Sequence, residues 1–382
     1  MKTVCDANKC NGCMACLAVC PRKCITIRDD IYNYNAVIDQ TACINCNACE
    51  RVCPNLSVQQ KVKPYKWEQG WSYSDARRNA ASGGIASEII RAFISSGGYV
   101  ASCLFRNGEF VFDITNDLDT AKCFAGSKYV KSNPEGIYEK IKDRLKSHKV
   151  LFIGLPCQVA ALKNYIKAQD NLYTIDLICH GTPSPKVLSY YLKEHGIDIN
   201  SVDDIRFRNH NSFQLASDYA VFNPEGVDDY LLSFLSTSIY TENCYSCKYA
   251  SFERISDMTL GDSWGTVFTD EIAEGVSLIL IQTQKGEDLI TGLNAFLTDV
   301  DIERAINANT QLQEPARMSP SRSMFLNAVK NEGSFRIATL RAFPQIVIKR
   351  WVKRLLFKVN LYRPGGGGYR LTVRTKKDDL DI

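Results

Sequence analysis

The chain has 382 residues, of which 45% are hydrophobic and 23% charged, a composition typical of a soluble globular protein. One hydrophobic core rarely serves so long a chain, so we expect two or three domains. No apolar stretch is long enough to span a bilayer, and the first residues lack the apolar segment of a secretion signal. The net charge of +4 conceals a basic tail, because twelve Lys and Arg residues and no acidic residue lie between Arg336 and Lys377. Together with sixteen cysteines, these features predict a protein of the reducing cytoplasm.

The first 54 residues carry two copies of the cysteine pattern C-x-x-C-x-x-C-x-x-x-C-P, which are 33 residues apart. The first copy consists of Cys10, Cys13, Cys16 and Cys20, and the second of Cys43, Cys46, Cys49 and Cys53. Bacterial-type ferredoxins hold two 4Fe–4S clusters with such runs, and the fourth cysteine of each run ligates the other cluster. We therefore expect Cys53 to join the first three cysteines and Cys20 to join the second three. Zinc sites usually separate two C-x-x-C pairs by a long gap, which disfavours zinc.

The pattern and the composition divide the chain into four parts. We expect a two-cluster domain at 1–60, the two parts of an α/β region at 72–148 and 149–315, and a helical, basic tail at 316–382. The polar, aromatic stretch 61–71 is interpreted as a linker. Cys5 and Cys24 lie outside the cluster pattern and are interpreted as small buried hydrophobes. The expected fold class is an α+β ferredoxin-like module followed by α/β domains with a mixed, partly parallel sheet.

Two glycine-containing turns in the second part are candidates for binding an anionic cofactor. Ser82, Gly83 and Gly84 precede a helical pattern, and backbone N–H groups at the start of a helix suit a phosphate. The same tripeptide more often forms only a cap and a tight turn. Ser127 and Lys128 follow Gly126 in a second small turn, where a solvated lysine is the simpler interpretation.

Residues 149–179 have the pattern of a strand, a helix and a parallel strand. Cys157 follows the first strand and Cys179 the second, so both are expected at the carboxyl edge of the sheet, where α/β sheets bind ligands. A C-x-x-C pair follows at Cys244 and Cys247. Four thiols favour a third 4Fe–4S cluster over zinc, and simple burial of Cys157 and Cys179 is the alternative. Within 256–265 we predict a short strand that breaks into a glycine-flanked turn and places Asp262 and Trp264 near the same site. A further strand is predicted at 276–282, and a helix at 286–296.

The basic tail contains an amphipathic helix. Its apolar face carries Ile348, Trp351, Val352, Leu355, Leu356 and Val359. Such a helix with a tryptophan suits peripheral contact of residues 344–360 with an anionic membrane, at the inner face of the cell membrane. Packing against the protein's own body or against a partner is at least as common. No nucleic-acid partner is expected, because no aromatic interleaving accompanies the basic residues.

Several motifs together resemble one family. These are Ser82-Gly83-Gly84, Gly126-Ser127-Lys128-Tyr129, Gly154-Leu155-Pro156-Cys157, Cys179-His180-Gly181-Thr182-Pro183, Cys244-x-x-Cys247 and Gly261-Asp262-x-Trp264-Gly265. The chain resembles the beta subunit of coenzyme F-420 hydrogenases and dehydrogenases, preceded by a two-cluster ferredoxin module, over roughly residues 1–315. The resemblance implies an FAD-binding oxidoreductase, with Ser82, Gly83, Gly84, Ser127 and Lys128 as flavin contacts. It also implies Cys157, Cys179, Cys244 and Cys247 as cluster ligands, and a link to surface-polysaccharide metabolism.

We therefore expect an iron–sulfur flavoprotein that passes electrons from a donor protein or ferredoxin, through its clusters and FAD, to a two-electron acceptor. The redox substrate is not specified by the sequence, because one scaffold serves many substrates. The alternative is a non-catalytic electron-transfer subunit that docks on a partner oxidoreductase.

Overall fold

The computed structural model describes residues 2–167, 170–209, 212–218, 220–223 and 226–358. The strands are β1 Lys2–Thr3, β2 Ile25–Asp29, β3 Tyr34–Ile38, β4 Lys66–Ser72, β5 Tyr99–Arg106, β6 Glu109–Thr115, β7 Val150–Gly154, β8 Leu172–Leu177, β9 Ile205–Asn209, β10 Ser212–Ser217, β11 Met258–Asp262, β12 Ser277–Ile281 and β13 Ala295–Asp299. The α-helices are α1 Ala15–Val19, α2 Ala48–Val52, α3 Ile85–Ser95, α4 Leu118–Ala121, α5 Ile137–Arg144, α6 Pro156–Ile166, α7 Pro185–Glu194, α8 Asp229–Leu235, α9 Gln284–Ile290, α10 Ile302–Ala308, α11 Arg322–Glu332, α12 Phe335–Ala342 and α13 Pro344–Lys358.

The N-terminal module combines a small antiparallel sheet, in the order β1-β3-β2, with the two short helices α1 and α2. Each helix begins after a residue in the left-handed conformation, Met14 with φ 59° and Asn47 with φ 54°. These two residues are 33 positions apart, as are the cysteine runs, so the internal repeat of the sequence is also a repeat of the backbone. The predicted α+β module is confirmed.

The rest of the chain is built on one eight-stranded mixed sheet in the order β13-β4-β12-β11-β8-β7-β5-β6. The four strands β11, β8, β7 and β5 are parallel neighbours, and the flanking pairs are antiparallel. Every residue of β7 is buried, as expected of a strand covered on both faces. The predicted mixed, partly parallel sheet is confirmed, and strands of 72–148 and 149–315 share it.

The predicted strand–helix–strand unit is present as β7, α6 and β8. The two strands pair in parallel, with Gly154 opposite Asp176 near their carboxyl ends. Pro156 begins α6 two residues after β7 ends, at a helical position where its missing N–H removes no hydrogen bond. The unit therefore brings the start of α6 and the residues after β8 to the same edge of the sheet.

Two predictions of secondary structure were wrong. The stretch 61–71 is not only a linker, because its second half is β4, which pairs with both β12 and β13. The polar residues Glu68 and Gln69 hid this strand in the sequence, yet both are buried in it. The helix predicted at 286–296 ends early, and β13 follows it after a turn at Gly292, whose φ is +74°.

The N-terminal module packs on one face of the large sheet, where α1 and α2 contact α6. One hydrophobic cluster joins residues of the module, such as Ala15 and Val52, to Ile141 of α5 and Val159 of α6. The opposite face is covered by α3 and α9. The module is therefore held against the α/β body by a continuous apolar core, the main source of its stability there.

The predicted helices of the C-terminal part are present as α11, α12 and α13. α11 and α12 pack with α7 and α8 in a separate hydrophobic cluster that includes Phe325 and Phe335. Within the described residues, none of the helices has both the length and the apolar character that crossing a membrane requires.

Candidate metal centres

The first group of cysteines, which we call site I, consists of Cys10, Cys13, Cys16 and Cys53. Every pair of these side chains lies within electrostatic range. Cys10 is half-buried and the other three are buried. Burial raises the pKa of the Cys13 and Cys16 thiols, so these two thiols favour the neutral form until a cation displaces their protons. The grouping matches the predicted exchange of fourth cysteines.

The second group, site II, consists of Cys20, Cys43, Cys46 and Cys49. All four line a single cavity at the surface of the N-terminal module. Cys20 also interacts electrostatically with Cys49 of the other run. Cys46 is exposed and the others are half-buried, so site II lies much closer to solvent than site I.

The third group, site III, consists of Cys157, Cys179, Cys244 and Cys247. Cys157 lies in the first turn of α6 and Cys179 lies two residues after β8. Cys244 lies in the 3-10 helix Glu242–Ser246, and Cys247 caps its end. Every pair of the four thiols lies within electrostatic range. The structure thus brings the C-x-x-C pair to the sheet edge that the topology predicts for Cys157 and Cys179.

Backbone N–H groups donate to one sulfur or more in each of the three sites. The nitrogen-to-sulfur distances are 3.5 Å from Gly12 to Cys10, 3.4 Å from Asn45 to Cys43, 3.4 Å from Thr182 to Cys244 and 3.4 Å from Tyr249 to Cys247. Hydrogen bonds to the sulfurs of an iron–sulfur cluster stabilise its charge and tune its reduction potential. Gly12 and Asn45 are equivalent in the internal repeat.

The chemistry of these donors fits 4Fe–4S clusters, which are held by four cysteine thiolates. Each site offers four free thiols and at least one N–H donor to sulfur. The described part of the chain contains no group of three or more His, Cys, Asp or Glu side chains placed to hold a single metal ion.

The three sites form a row. Cys16 of site I interacts electrostatically with Cys49 of site II, and Cys13 of site I interacts with Cys157 of site III. Tyr249 lies at the second junction, where its side chain is close to Cys157 and Cys13 and its hydroxyl donates to the carbonyl of Pro54 at 3.0 Å. Site I therefore lies between the other two.

The turn of Ser82, Gly83 and Gly84 lies at the same sheet edge and packs against the protein's own backbone. A Cβ atom at Gly83 would lie 2.5 Å from the carbonyl oxygen of Gly70 and 2.8 Å from the amide nitrogen of Ser277. Gly84 has φ +81° and lies immediately before the first residue of α3. Both glycines are thus required by the fold itself, whatever the helix N-terminus binds.

The second candidate turn holds its lysine against the backbone. The Lys128 ammonium donates to the carbonyls of Phe124 at 2.8 Å and Ala125 at 2.7 Å. Burial lowers the pKa of this lysine, and no carboxylate among the described residues forms an ion pair with it. The prediction of a solvated lysine is therefore too simple. The Ser127 side chain lies beside the hydroxyl of Tyr129.

β9 places Arg208 at this edge, a position that the sequence did not indicate. Its guanidinium donates to the Asp262 carboxylate at 2.7 Å and to the Tyr129 hydroxyl at 3.2 Å. It also lies 4.9 Å from the Phe213 ring and 5.9 Å from the Trp264 ring. From the sequence, only Asp262 and Trp264 were expected near site III. Arg208 was not, because nothing local in the sequence marks an arginine of a distant hairpin.

Ser277 connects the two candidate turns. It pairs with Asp262 in the sheet and touches the Gly83 turn. Asp262 accepts from Arg208, which also donates to the Tyr129 hydroxyl, and Ser127 lies beside that hydroxyl. Tyr129 in turn interacts with Tyr240, which lies beside Cys179 and Cys244 of site III. The candidate flavin contacts and site III therefore belong to one continuous edge of the sheet.

Comparison with known proteins identifies two regions. Residues 9–56 match the model of the 4Fe-4S dicluster domain, and residues 147–298 match the model of the C terminus of the coenzyme F420 hydrogenase/dehydrogenase beta subunit. A chain of the F420-reducing NiFe hydrogenase complex from Methanosarcina barkeri is similar in structure, with 16% sequence identity and a TM-score of 0.48 over 68% of this chain and 97% of that chain. No curated protein matches the chain. The chain thus carries a 4Fe-4S dicluster domain followed by a C-terminal domain of the coenzyme F420 hydrogenase/dehydrogenase beta subunit family.

Proposed function

We propose that this protein is an iron–sulfur flavoprotein oxidoreductase, which passes electrons from its ferredoxin-type clusters through a third cluster and FAD to a two-electron acceptor. The observation that carries this proposal is the row of sites II, I and III, which runs from the surface to the carboxyl edge of the sheet. The links between Cys16 and Cys49 and between Cys13 and Cys157 support it. A free-standing two-cluster ferredoxin does not require a further group of four cysteines on the side that faces the α/β body.

Site II is the proposed point at which electrons enter the protein. Cys46 is exposed, and the neighbouring Ile44 is 59% exposed. Leu56 of the same module is 51% exposed. Exposed apolar side chains beside a charged cluster suit transient docking of an electron-donor protein, whose interface buries little area. We propose such a donor, for example a ferredoxin, as the partner.

The sheet edge beyond site III is the proposed position of FAD. A flavin supplies the coupling of one-electron carriers to two-electron chemistry. The N-terminus of α3, with Ser82, and the turn of Ser127 and Lys128 would hold its anionic part. The Lys128 ammonium, which donates to two backbone carbonyls and has no paired carboxylate in the described structure, would balance phosphate charge.

Anaerobic purification followed by iron assay and flavin extraction tests this function. Three clusters of four irons each predict about twelve iron atoms and one FAD per chain. Iron near eight without flavin would contradict the proposal and favour the non-catalytic electron-transfer subunit.

A further inference from the structure

Lys131 is a buried lysine at the junction between the cluster module and the α/β body. Only 5% of its surface is exposed. Its backbone N–H donates to the carbonyl of Pro183 at 2.9 Å, which fixes the chain just after the turn of Ser127 and Lys128. The side chain then extends from the α/β body into the N-terminal module.

The first cysteine run makes room for this side chain. The Lys131 ammonium donates to the carbonyl of Asn11 at 3.0 Å. Gly12 has φ +69°, and a Cβ atom there would lie 2.8 Å from Cδ of Lys131. Asn11 and Gly12 lie between Cys10 and Cys13 of site I. The lysine therefore packs directly against the loop that would surround a cluster.

The charge of Lys131 acts on two sites at once. Its ammonium lies close to Cys10 at site I and to Cys157 at site III. The two sites also meet beside it, because the Asn243 amide, next to Cys244, donates to the side-chain oxygen of Asn11 at 3.4 Å. The ring of Tyr34, at 5.6 Å, is a further neighbour of the ammonium. Lys9 and Lys248 also span the two sites, since they donate to the Ser246 hydroxyl at 2.8 Å and to the Asn55 carbonyl at 2.9 Å. Both are exposed, so solvent screens their charge, whereas Lys131 is buried.

Lys131 forms no ion pair with a carboxylate in the described part of the structure. Asp29 and Glu109 line a cavity with it, but Asp29 accepts from Ser184 at 2.6 Å and Glu109 accepts from Asn133 at 3.3 Å. A buried ammonium without a counter-charge is costly. The anionic thiolates of sites I and III supply that counter-charge once clusters are bound.

We propose that Lys131 is a positioning residue that stabilises the reduced state of the clusters at sites I and III together. Each transfer adds one electron, supplied by the donor protein, and hence one negative charge near the fixed ammonium. A nearby cation in a poorly solvated site favours that added charge. By acting on both sites, Lys131 raises both reduction potentials together, which makes sites I and III better acceptors for electrons that enter at site II. This inference rests on the proposed function.

Potentiometric titration of the anaerobic holoprotein, followed by electron paramagnetic resonance, tests the inference. Lys131→Met should keep its iron but lower the reduction equilibrium constants of sites I and III by at least about tenfold, or 59 mV for one electron. Site II, which Lys131 does not touch, is the internal reference. Lys131→Arg keeps the charge and should titrate close to wild type, as should Lys146→Met, which alters an exposed lysine.

Two results would overturn the inference: unchanged potentials in Lys131→Met, or an equal shift at all three sites. If Lys131→Met does not fold, Lys131→Gln, which retains a donor toward Asn11, gives the same test. Wild-type protein with iron near eight and no flavin contradicts the proposed function instead, so the two failures are distinguishable.

Discussion

Cys5 and Cys24 each bring a fifth thiol beside one of the ferredoxin-type sites. Both are buried, as the sequence predicts. The Cys24 sulfur lies 3.5 Å from that of Cys20. The neighbouring Cys5 thiol lowers the pKa of Cys10 and that of Cys53. Cys5 therefore helps to hold two site I thiols in the anionic form that binds metal, which a purely apolar residue would not do.

At the same scale, replacing Cys244 and Cys247 together with serine tests site III. The double variant should lose about four iron atoms per chain, because one 4Fe–4S cluster uses four thiolates. The measurement is iron per chain after anaerobic purification.

Cys123→Ser is the matched control, since Cys123 is exposed and belongs to none of the three sites. It should keep its full iron content. Unchanged iron in the double variant would exclude a cluster at site III.

At the scale of elements, the C-terminal helix α13 is tied to the body on one side and exposed on the other. Arg350 donates to the Asp229 carboxylate at 2.5 Å and to the carbonyl of Val227 at 2.6 Å. Ile348 is 57% exposed and Trp351 64% exposed. The side chains of Leu355 and Leu356 and all of Val359 lie outside the described residues. Packing on the protein's own body thus accounts for the face of α13 that carries Arg350 but not for the exposed face with Ile348 and Trp351. Membrane contact of that face stays a prediction.

Flotation with liposomes tests that prediction. Full-length protein should float with anionic vesicles, while a chain lacking residues 344–382 should not, because basic and aromatic side chains drive such binding. Neutral vesicles measure how much of the binding depends on charge, and Trp351→Ser measures how much depends on the apolar face. Equal recovery of the full and shortened chains at the lipid layer would end the membrane hypothesis.

The elements also show where sequence patterns succeed. β7, α6 and β8 could be predicted because a continuous apolar run marks a strand buried on both faces. β4 could not, since Gln69 is a polar residue that becomes buried only because Ser263 and Thr266 donate to its side-chain oxygen at 2.9 and 2.7 Å. Those partners are nearly two hundred residues away in the chain, beyond any local pattern.

At the scale of the whole molecule, the fold places three groups of four cysteines in one row. The sequence could predict which cysteines belong to each group, because the spacing of the runs and the topology of parallel strands are local features. The row itself was not, because it depends on how the module packs on α5 and α6. Lys131 and Arg208 were missed for the same reason: each acquires its partners only through contacts between distant segments.

We propose that electrons reach the flavin through site III. The most direct test of this route is a stopped-flow experiment in which reduced ferredoxin is mixed anaerobically with the oxidised protein, and cluster and flavin absorbance are followed separately. In the wild type, the clusters should be reduced first and the flavin should bleach afterwards. In the Cys244→Ser, Cys247→Ser variant with FAD bound, the clusters of sites I and II should still be reduced while flavin bleaching is lost. Bleaching at the wild-type rate in that variant would show that electrons reach the flavin without site III.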